Sequence, residues 1–306
     1  MLSARVIRSG AGYAERHLRY SDYLDEENRV LGVWTGLGAE RLGVRGEVTD
    51  EGFERLRLGQ DPATGERLRP RLLEEGAGRS LYDVVMSAPK SISGAALVGG
   101  DERLFGAVHQ AEGVAFSEFE AAAETRVRRG GVQENRVTGN LVCAVFRHDA
   151  SRSLDPQLHS HYIVGNLTFD PVENRWKALQ ARSMYERLPY VTEVYRNALA
   201  ATARSLGYHV ESAKDARGKH LGFELSQVRW MNERFSQRSV ERDEAIARFV
   251  AERGREPTKN EIAVLVRNSR ADKLTEISKD EVRARQRAKL TQEEWGDLSR
   301  TISQAR

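Results

Sequence analysis

The chain has 306 residues, of which 40% are hydrophobic and 30% are charged, as in ordinary globular proteins with room for one large domain or two smaller ones. No run of about 18 apolar residues occurs, and the first ten residues lack the apolar core of a secretory signal, so we expect neither a membrane span nor a leader. The single cysteine, Cys143, excludes an intramolecular disulfide and suits a cytoplasmic site. A net charge of +3 permits nucleic-acid binding without requiring it.

The first 225 residues mix strand and helix signals. Short runs rich in Val, Ile, Phe and Tyr predict strands at 5–9, 81–87, 139–147, 161–169, 175–179, 208–211 and 222–225. The apolar residues of 141–146 fall on both faces of their predicted strand, which indicates burial on both sides. Apolar residues at spacings of three and four predict helices over 101–127 and 185–206, and residues 49–59 predict a short helix.

The strand signals stop after about residue 226. Three capping boxes then predict helix starts, formed by Thr258 with Glu261, Ser278 with Glu281, and Thr291 with Glu294. The sequence therefore predicts a mixed core over 1–225 and a helical lobe over 226–306. The mixed charge of that lobe suits either a solvated surface or an arm lying against DNA.

Three histidines form the strongest chemical signal. His159 and His161 are two residues apart, so in a strand their imidazoles point to the same face. His148 ends the preceding predicted strand, and antiparallel pairing across residues 149–157 would bring it beside the other two. A single histidine is usually a packed or surface residue. A His-x-His pair with a third histidine is rarer, and three neutral imidazoles on one face make an open metal site.

Other metal enzymes also use His-x-His pairs. Cupin-type dioxygenases carry a glutamate a few residues later, whereas residues 162–166 contain no carboxylate. The sequence also lacks the His-Glu-x-x-His helix that is typical of a zincin protease. An unrelated three-histidine metal hydrolase stays open as an alternative.

Three tyrosines near the N-terminus are candidate nucleophiles. Tyr13, Tyr20 and Tyr23 lie close together beside arginines. The pKa of a tyrosine hydroxyl is about 10, and a nearby metal or arginine favours the phenolate. Phenolate can attack a phosphodiester and form a covalent phosphotyrosine. The alternative is an aromatic stripe that packs on a core.

Taken in order, these motifs resemble the MobF-class conjugative relaxases, which are HUH endonucleases. The resemblance rests on residues 146–149 and 156–161 and on the stretches 34–43, 87–91, 137–142 and 235–239, over about residues 1–250. It implies an α+β fold with a central antiparallel sheet that carries the three-histidine metal site. Helices flank that sheet, and a helical C-terminal lobe closes over DNA.

The resemblance also implies a mechanism. His148, His159 and His161 would hold a divalent metal, Mg²⁺ or Mn²⁺ with Zn²⁺ possible, which polarises the scissile phosphate. The substrate would be single-stranded or hairpin DNA of a transfer origin. A tyrosine would attack in line, remain joined to the 5′ phosphate, and rejoin the strand by reversal.

Further site residues follow from the same resemblance. Asp83 would orient one histidine or assist the tyrosine, as carboxylates beside metal ligands do. Lys90 and Arg238 would contact DNA. The alternative for Asp83 is a simple turn or strand-edge acid, and the alternative for Lys90 is an exposed loop lysine.

The nucleophile is where the sequence departs from the family. Members usually have two tyrosine pairs in the first thirty residues. Counting back from Trp34, one pair falls on Tyr23-Leu24 and the other position holds no tyrosine. We predict Tyr23 as the nucleophile, with Tyr20 as the second candidate and Tyr13 as the third. The departure also leaves open a catalytically impaired module that only binds single-stranded DNA.

Family members often continue into a helicase. The chain contains no G-x-x-x-x-G-K-[ST] phosphate loop, so we expect either the relaxase portion of a longer protein or a stand-alone relaxase. The resemblance further implies other conjugation proteins as partners and a bacterial cytoplasmic location.

Overall fold

The computed structural model describes residues 2–7, 30–69, 80–151, 153–214, 218, 220–268 and 277–305. The strands are β1 Leu2–Ile7, β2 Val33–Thr35, β3 Leu81–Ser87, β4 Glu124–Arg129, β5 Val132–Val137, β6 Cys143–Ala150, β7 Pro156–Gly165, β8 Thr168–Asp170, β9 Arg175–Lys177, β10 Leu179–Gln180, β11 Val210–Lys214 and β12 His220–Leu225. The helices are α1 Leu37–Arg41, α2 Asp50–Leu58, α3 Lys90–Leu97, α4 Arg103–Glu120, α5 Arg182–Ser205, α6 Met231–Arg234, α7 Gln237–Arg253, α8 Lys259–Asn268, α9 Lys279–Ala288 and α10 Gln292–Gln304.

A five-stranded antiparallel sheet forms the centre of the molecule. Its strand order is β1-β3-β7-β6-β2. Successive side chains of a strand point to opposite faces, so each strand supplies two different cores. The α+β class and the antiparallel sheet that the sequence predicts are confirmed.

We call the two sides of this sheet the rear face and the front face. The rear face carries Val84, Met86, Val145, Tyr162 and Val164, which pack with the long helices α4 and α5. The front face carries Leu81, Ala144, Phe146 and Ile163, which pack with Trp34 and with Phe53 and Leu56 of α2. Covering on both sides explains why residues 141–146 are apolar at every position.

The helices α4 and α5 follow the predicted periodicity. In α4, Leu104, Val108, Ala111, Ala115 and Phe119 are buried at spacings of three and four. The burial of such a large apolar side chain stabilises the fold by about 1.5–3 kcal/mol. These buried side chains therefore hold α4 along its length against the rear face of the sheet.

The predicted helix over 101–127 is too long at its C-terminal end. It stops at Glu120, and β4 pairs with β5 across Gly130 and Gly131, whose φ angles of 54° and 84° suit a tight hairpin turn. Both strands are largely polar, and although Thr125 and Val127 of β4 are buried, β5 is mostly exposed, so the pair shows little of the apolar alternation that predicts a strand. The short elements β2, α1 and α3 were also missed.

The described residues after β12 form helices and one short 3₁₀ turn, as predicted. Helices α8, α9 and α10 begin directly after Thr258, Ser278 and Thr291, and each of these hydroxyls accepts a hydrogen bond from the backbone N–H three residues later. Among the described residues, no helix has both the length and the apolar character needed to cross a membrane.

Candidate active site

The hairpin of β6 and β7 brings the three histidines together on the front face. His148 lies directly opposite His159 in the antiparallel register, and His161 follows two residues later on the same face. The centroids of the three imidazole rings are 5.2, 5.3 and 5.4 Å apart. The predicted pairing across residues 149–157 is therefore confirmed, and it forms a nearly equilateral triangle of rings.

Hydrogen bonds fix two of these rings through Nδ1. His161 Nδ1 lies 2.9 Å from Oδ1 of Asp83, and His159 Nδ1 lies 3.0 Å from the backbone oxygen of Gln157. A carbonyl or carboxylate oxygen accepts, so each Nδ1 donates and the ring's lone pair is on Nε2. Partners of this kind orient histidines that bind metals.

Asp83 is fully buried on β3, the strand that pairs directly with β7 of the histidine hairpin. Its Oδ2 accepts hydrogen bonds from Nε and Nη2 of Arg5, at 2.9 and 2.6 Å. Burial raises the pKa of this carboxyl, but the charges and hydrogen bonds of His161 and Arg5 outweigh it and lower the pKa to about 2. Asp83 is therefore an anion at neutral pH, held between a histidine and a half-exposed arginine.

The spacing of the rings fits a shared metal. Imidazoles bound to one tetrahedral ion through nitrogens about 2.1 Å away have ring centroids about 5.3 Å apart. Within the described residues, however, no three ligating side chains converge closely enough to hold an ion as they stand. Rotation of an imidazole about its Cβ–Cγ bond turns the nitrogens while the ring centre hardly moves, so the spacing of the ring centres is compatible with a shared ion once the rings turn.

A buried carboxylate on the rear face was missed from the sequence. Glu112 of α4 accepts a hydrogen bond from the hydroxyl of Ser160, the residue between His159 and His161, and its Oε2 lies 3.4 Å from Nε of Arg147. Burial raises the pKa of Glu112. Its position four residues after Val108, on the apolar side of the predicted helix, was the available signal.

An open cleft of about 810 Å³ lies at the end of β3 and the start of β7, and none of the three histidines lines it. It includes Ser87, which is paired with His159 in the β3–β7 register, and Gln157, whose carbonyl bonds that histidine. The ribbon of β11 and β12 forms another side. The cleft is lined by the basic side chains of Arg196, Lys214 and Arg229, by Trp230, and by the carboxylates of Glu224 and Glu233.

The remaining predicted residues have different positions. Lys90 is the first residue of α3, and its Nζ donates to the backbone oxygen of Pro156 at 3.1 Å, at the start of the histidine strand. Arg238 belongs to α7, but its side chain is outside the described residues, as are Tyr13, Tyr20 and Tyr23. The structure therefore brings together His148, His159, His161 and Asp83.

The TrwC relaxase family matches residues 7–293 of the chain. A multifunctional conjugation protein TraI of Escherichia coli is 38% identical over 263 residues, and that of strain K12 is 38% identical over 262. These matches cover 80% of this chain and 14% of each TraI, so the chain spans about one seventh of the length of these relatives.

Solved structures of the conjugative relaxase TrwC have the same fold. A copper-bound complex with oriT DNA has a TM-score of 0.80 and 30% identity, covering 97% of this chain and 99% of that one. A complex with a 27-mer DNA that comprises the recognition hairpin and the cleavage site has a TM-score of 0.78 and 31% identity, with the same coverage. A metal-free complex with oriT DNA has a TM-score of 0.78 and 31% identity, covering 94% and 97%.

Proposed function

Because the chain belongs to the TrwC relaxase family, we propose that it cuts and rejoins one strand of DNA at the transfer origin of a conjugative element. The observation that carries this proposal is the triangle of His148, His159 and His161 on the hairpin of β6 and β7. Two of these rings already have the Nδ1 partners that suit metal ligands.

The three imidazoles would hold a divalent cation, with Mg²⁺ or Mn²⁺ expected and Zn²⁺ possible. When bound, such an ion supplies Lewis-acid polarisation of a phosphate oxygen. Asp83 keeps the Nδ1 proton of His161 in place, and the carbonyl of Gln157 does the same for His159. The metal-bound and metal-free structures of TrwC support a metal site in this family.

The substrate of this site is single-stranded or hairpin DNA. The cleft beside Ser87 and Gln157 is open, and its arginine and lysine side chains suit phosphates. We propose that Lys90 and Arg238 add contacts to the DNA backbone. Residues 1–225 would then act as the catalytic core, with residues 226–306 as the lobe over the bound strand.

Tyr23 is our proposed nucleophile, followed by Tyr20 and Tyr13. The tyrosine oxygen attacks phosphorus, the bond from phosphorus to the 3′ oxygen breaks, and that oxygen takes up a proton. One phosphate ester replaces another, so attack by a 3′ hydroxyl on the phosphotyrosine reverses the step. No oxidant or other reactant is needed.

The cellular setting follows the relatives. Those relatives are multifunctional conjugation proteins, and the chain matches 14% of their length. We propose that the domain works with other conjugation proteins in the bacterial cytoplasm.

A covalent-adduct assay tests the proposed function. Labelled single-stranded oligonucleotides from candidate transfer origins are mixed with the protein and Mn²⁺, and parallel samples contain EDTA. We expect an adduct that EDTA abolishes, that is lost in one of Tyr23→Phe, Tyr20→Phe and Tyr13→Phe, and that is lost in His161→Ala. His109→Ala, which alters an exposed histidine of α4, is the matched control and should retain the adduct.

Each other outcome favours a different reading. Tight DNA binding without an adduct on any origin sequence would support a catalytically impaired binding module. Neither an adduct nor DNA binding would favour the metal hydrolase.

A further inference from the structure

The turn between the two histidine strands contains a strained residue. Leu154 has a φ of 60° and lies between His148 of β6 and His159 of β7. Among the described residues that are not glycine, only Leu154 and Asn174 have positive φ, and asparagine tolerates that region far better than leucine. Surrounding contacts must therefore hold the backbone of Leu154 in place.

A C-terminal helix supplies those contacts. Gln286 of α9 is 1% exposed, and its Nε2 donates to the backbone oxygen of Leu154 at 2.8 Å. The side chain of Leu154 is buried with Ala150, Ile277 and Val282. Helix α9 thus fixes both the carbonyl and the side chain of the strained residue, although it lies more than 130 positions away in sequence.

The same network extends to the residue beside His148. Oε1 of Gln286 accepts from Nη1 of Arg283 at 3.1 Å, and Nη2 of Arg283 lies 2.7 Å from Oδ2 of Asp149. On the other side of the turn, Lys289 Nζ lies 2.9 Å from Oδ1 of the buried Asp155. Both ends of the turn are therefore tied to α9 or to Lys289, the residue that directly follows it.

The register of this hairpin decides where the histidines point. The pairing is irregular between His148 and Ala150, so the regular ladder is interrupted directly after His148. A shift of one residue would send His148 to the rear face, because side chains alternate along a strand. Contacts that hold the turn therefore act on the end of the ladder where His148 is paired with His159.

We propose that Gln286 is a positioning residue for the metal site, acting through Leu154 and the turn. This inference rests on the proposed function, since it assigns α9 a role in placing the imidazoles that bind the metal. Helix α9 is part of the proposed C-terminal lobe, so this contact ties that lobe to the histidine hairpin of the catalytic core.

The test measures Mn²⁺ binding to the full chain by titration calorimetry, together with amide hydrogen exchange over residues 148–159. We expect Gln286→Ala to bind Mn²⁺ about tenfold more weakly, the lower end of what outer partners of metal ligands cost. Exchange across the turn should accelerate. Gln286→Glu keeps the shape of the side chain but cannot donate a hydrogen bond to Leu154, so we expect the same loss of Mn²⁺ affinity. It replaces Gln286→Ala in the test if the alanine variant folds poorly.

Leu298→Ala is the matched control. Leu298 is buried on the neighbouring helix α10 and packs into the rear-face core, so its loss lowers thermal stability without touching the turn. We expect its affinity for Mn²⁺ to equal that of the wild type below the melting transition. A combined Leu154→Gly and Gln286→Ala variant should lose little more than Leu154→Gly alone, because glycine removes the strain that Gln286 holds.

Two results would separate the two proposals. If the wild type binds Mn²⁺ and Gln286→Ala binds it equally tightly with unchanged exchange, the positioning role is wrong and the proposed function stands. If the wild type binds no Mn²⁺, the metal site is wrong, and unchanged exchange in Gln286→Ala would overturn the positioning role as well.

Discussion

Two fully buried carboxylates stand on opposite sides of the same sheet and behave in opposite ways. Asp83 contacts His161 and Arg5 on the front face, and its pKa is lowered to about 2. Glu112 contacts Ser160 and Arg147 behind the histidine strand, and burial raises its pKa. Both side chains are 0% exposed, so burial alone does not explain the difference.

The partners decide the charge state. Asp83 receives two hydrogen bonds from a guanidinium and one from an imidazole, all with good geometry. Glu112 accepts from the neutral hydroxyl of Ser160, while the guanidinium of Arg147 lies 3.4 Å away. Compensation of a buried charge requires close, charge-assisted hydrogen bonds, and the front face provides them where a cation would bind.

The largest expected effect is on Asp83. In Asp83→Asn the shape is kept but the negative charge beside His161 is lost, so we expect Mn²⁺ affinity to fall about 10- to 100-fold. Calorimetric titration measures it. Asp101→Asn is the control, since Asp101 is also buried and paired with an arginine, Arg103, but contacts no histidine of the site. An equal loss in both variants would contradict a specific role for Asp83.

Acid stability provides the next largest effect. The folded pKa of Asp83, about 2, lies below its ordinary value of 3.8, so its contribution is complete above about pH 4 and is lost as the pH falls towards 2. The shift corresponds to about 2 kcal/mol of unfolding free energy. Urea unfolding of the metal-free protein between pH 4.5 and 2.5 should show this slope, and the slope of Asp83→Asn should be smaller. Parallel slopes would show that the pairing does not stabilise the fold.

Glu112→Gln should have the opposite pH dependence. A carboxyl whose pKa is raised in the folded state stabilises the protein below its ordinary pKa, and this contribution is lost as the pH rises. The free energy of unfolding of Glu112→Gln should therefore increase relative to that of the wild type from pH 4 to pH 8. Because Glu112 is behind the sheet, we expect Mn²⁺ affinity to change less than about threefold, well below the effect of losing a direct partner of a ligand. Thermal unfolding across this pH range and the titration measure the two effects.

Glu120→Gln is the matched control for that prediction. Glu120 is a second buried carboxylate of α4, and it accepts from the backbone N–H groups of Leu37 and Leu141. Its replacement reports the cost of altering a buried carboxylate away from the histidine strands. A large loss of Mn²⁺ affinity in Glu112→Gln alone would mean that the two faces are not independent.

The smallest effect is expected for Arg5. Its side chain is 54% exposed, so the ion pair with Asp83 should contribute no more than about 1 kcal/mol. In the urea-unfolding test between pH 4.5 and 2.5, we expect Arg5→Ala to lose stability at a higher pH than the wild type, since Asp83 loses one cationic partner. Arg5→Lys retains the charge and should lie between Arg5→Ala and the wild type. An unchanged acid transition in Arg5→Ala would leave His161 as the partner that matters.

The sequence by itself determined the features that depend on near neighbours. The two-residue spacing of His159 and His161 places both rings on one face of a strand, and His148 at the end of the preceding strand needs only a hairpin to join them. Helix starts at Thr258, Ser278 and Thr291 follow from hydrogen bonds that span three residues. Several motifs in one order also predicted the relaxase family.

Only the tertiary structure decided what surrounds the histidines. The pairing of Asp83 with Arg5 and His161 depends on the registers of β1, β3 and β7. The contact of Gln286 with Leu154 joins residues 132 positions apart. No local pattern specifies such partners, because they are set by how strands align and where a distant helix docks. The polar hairpin of β4 and β5 was missed for a related reason. Thr125 and Val127 of β4 are buried by tertiary contacts, but the residues around them are mostly polar, so the sequence shows too little apolar alternation to reveal a strand.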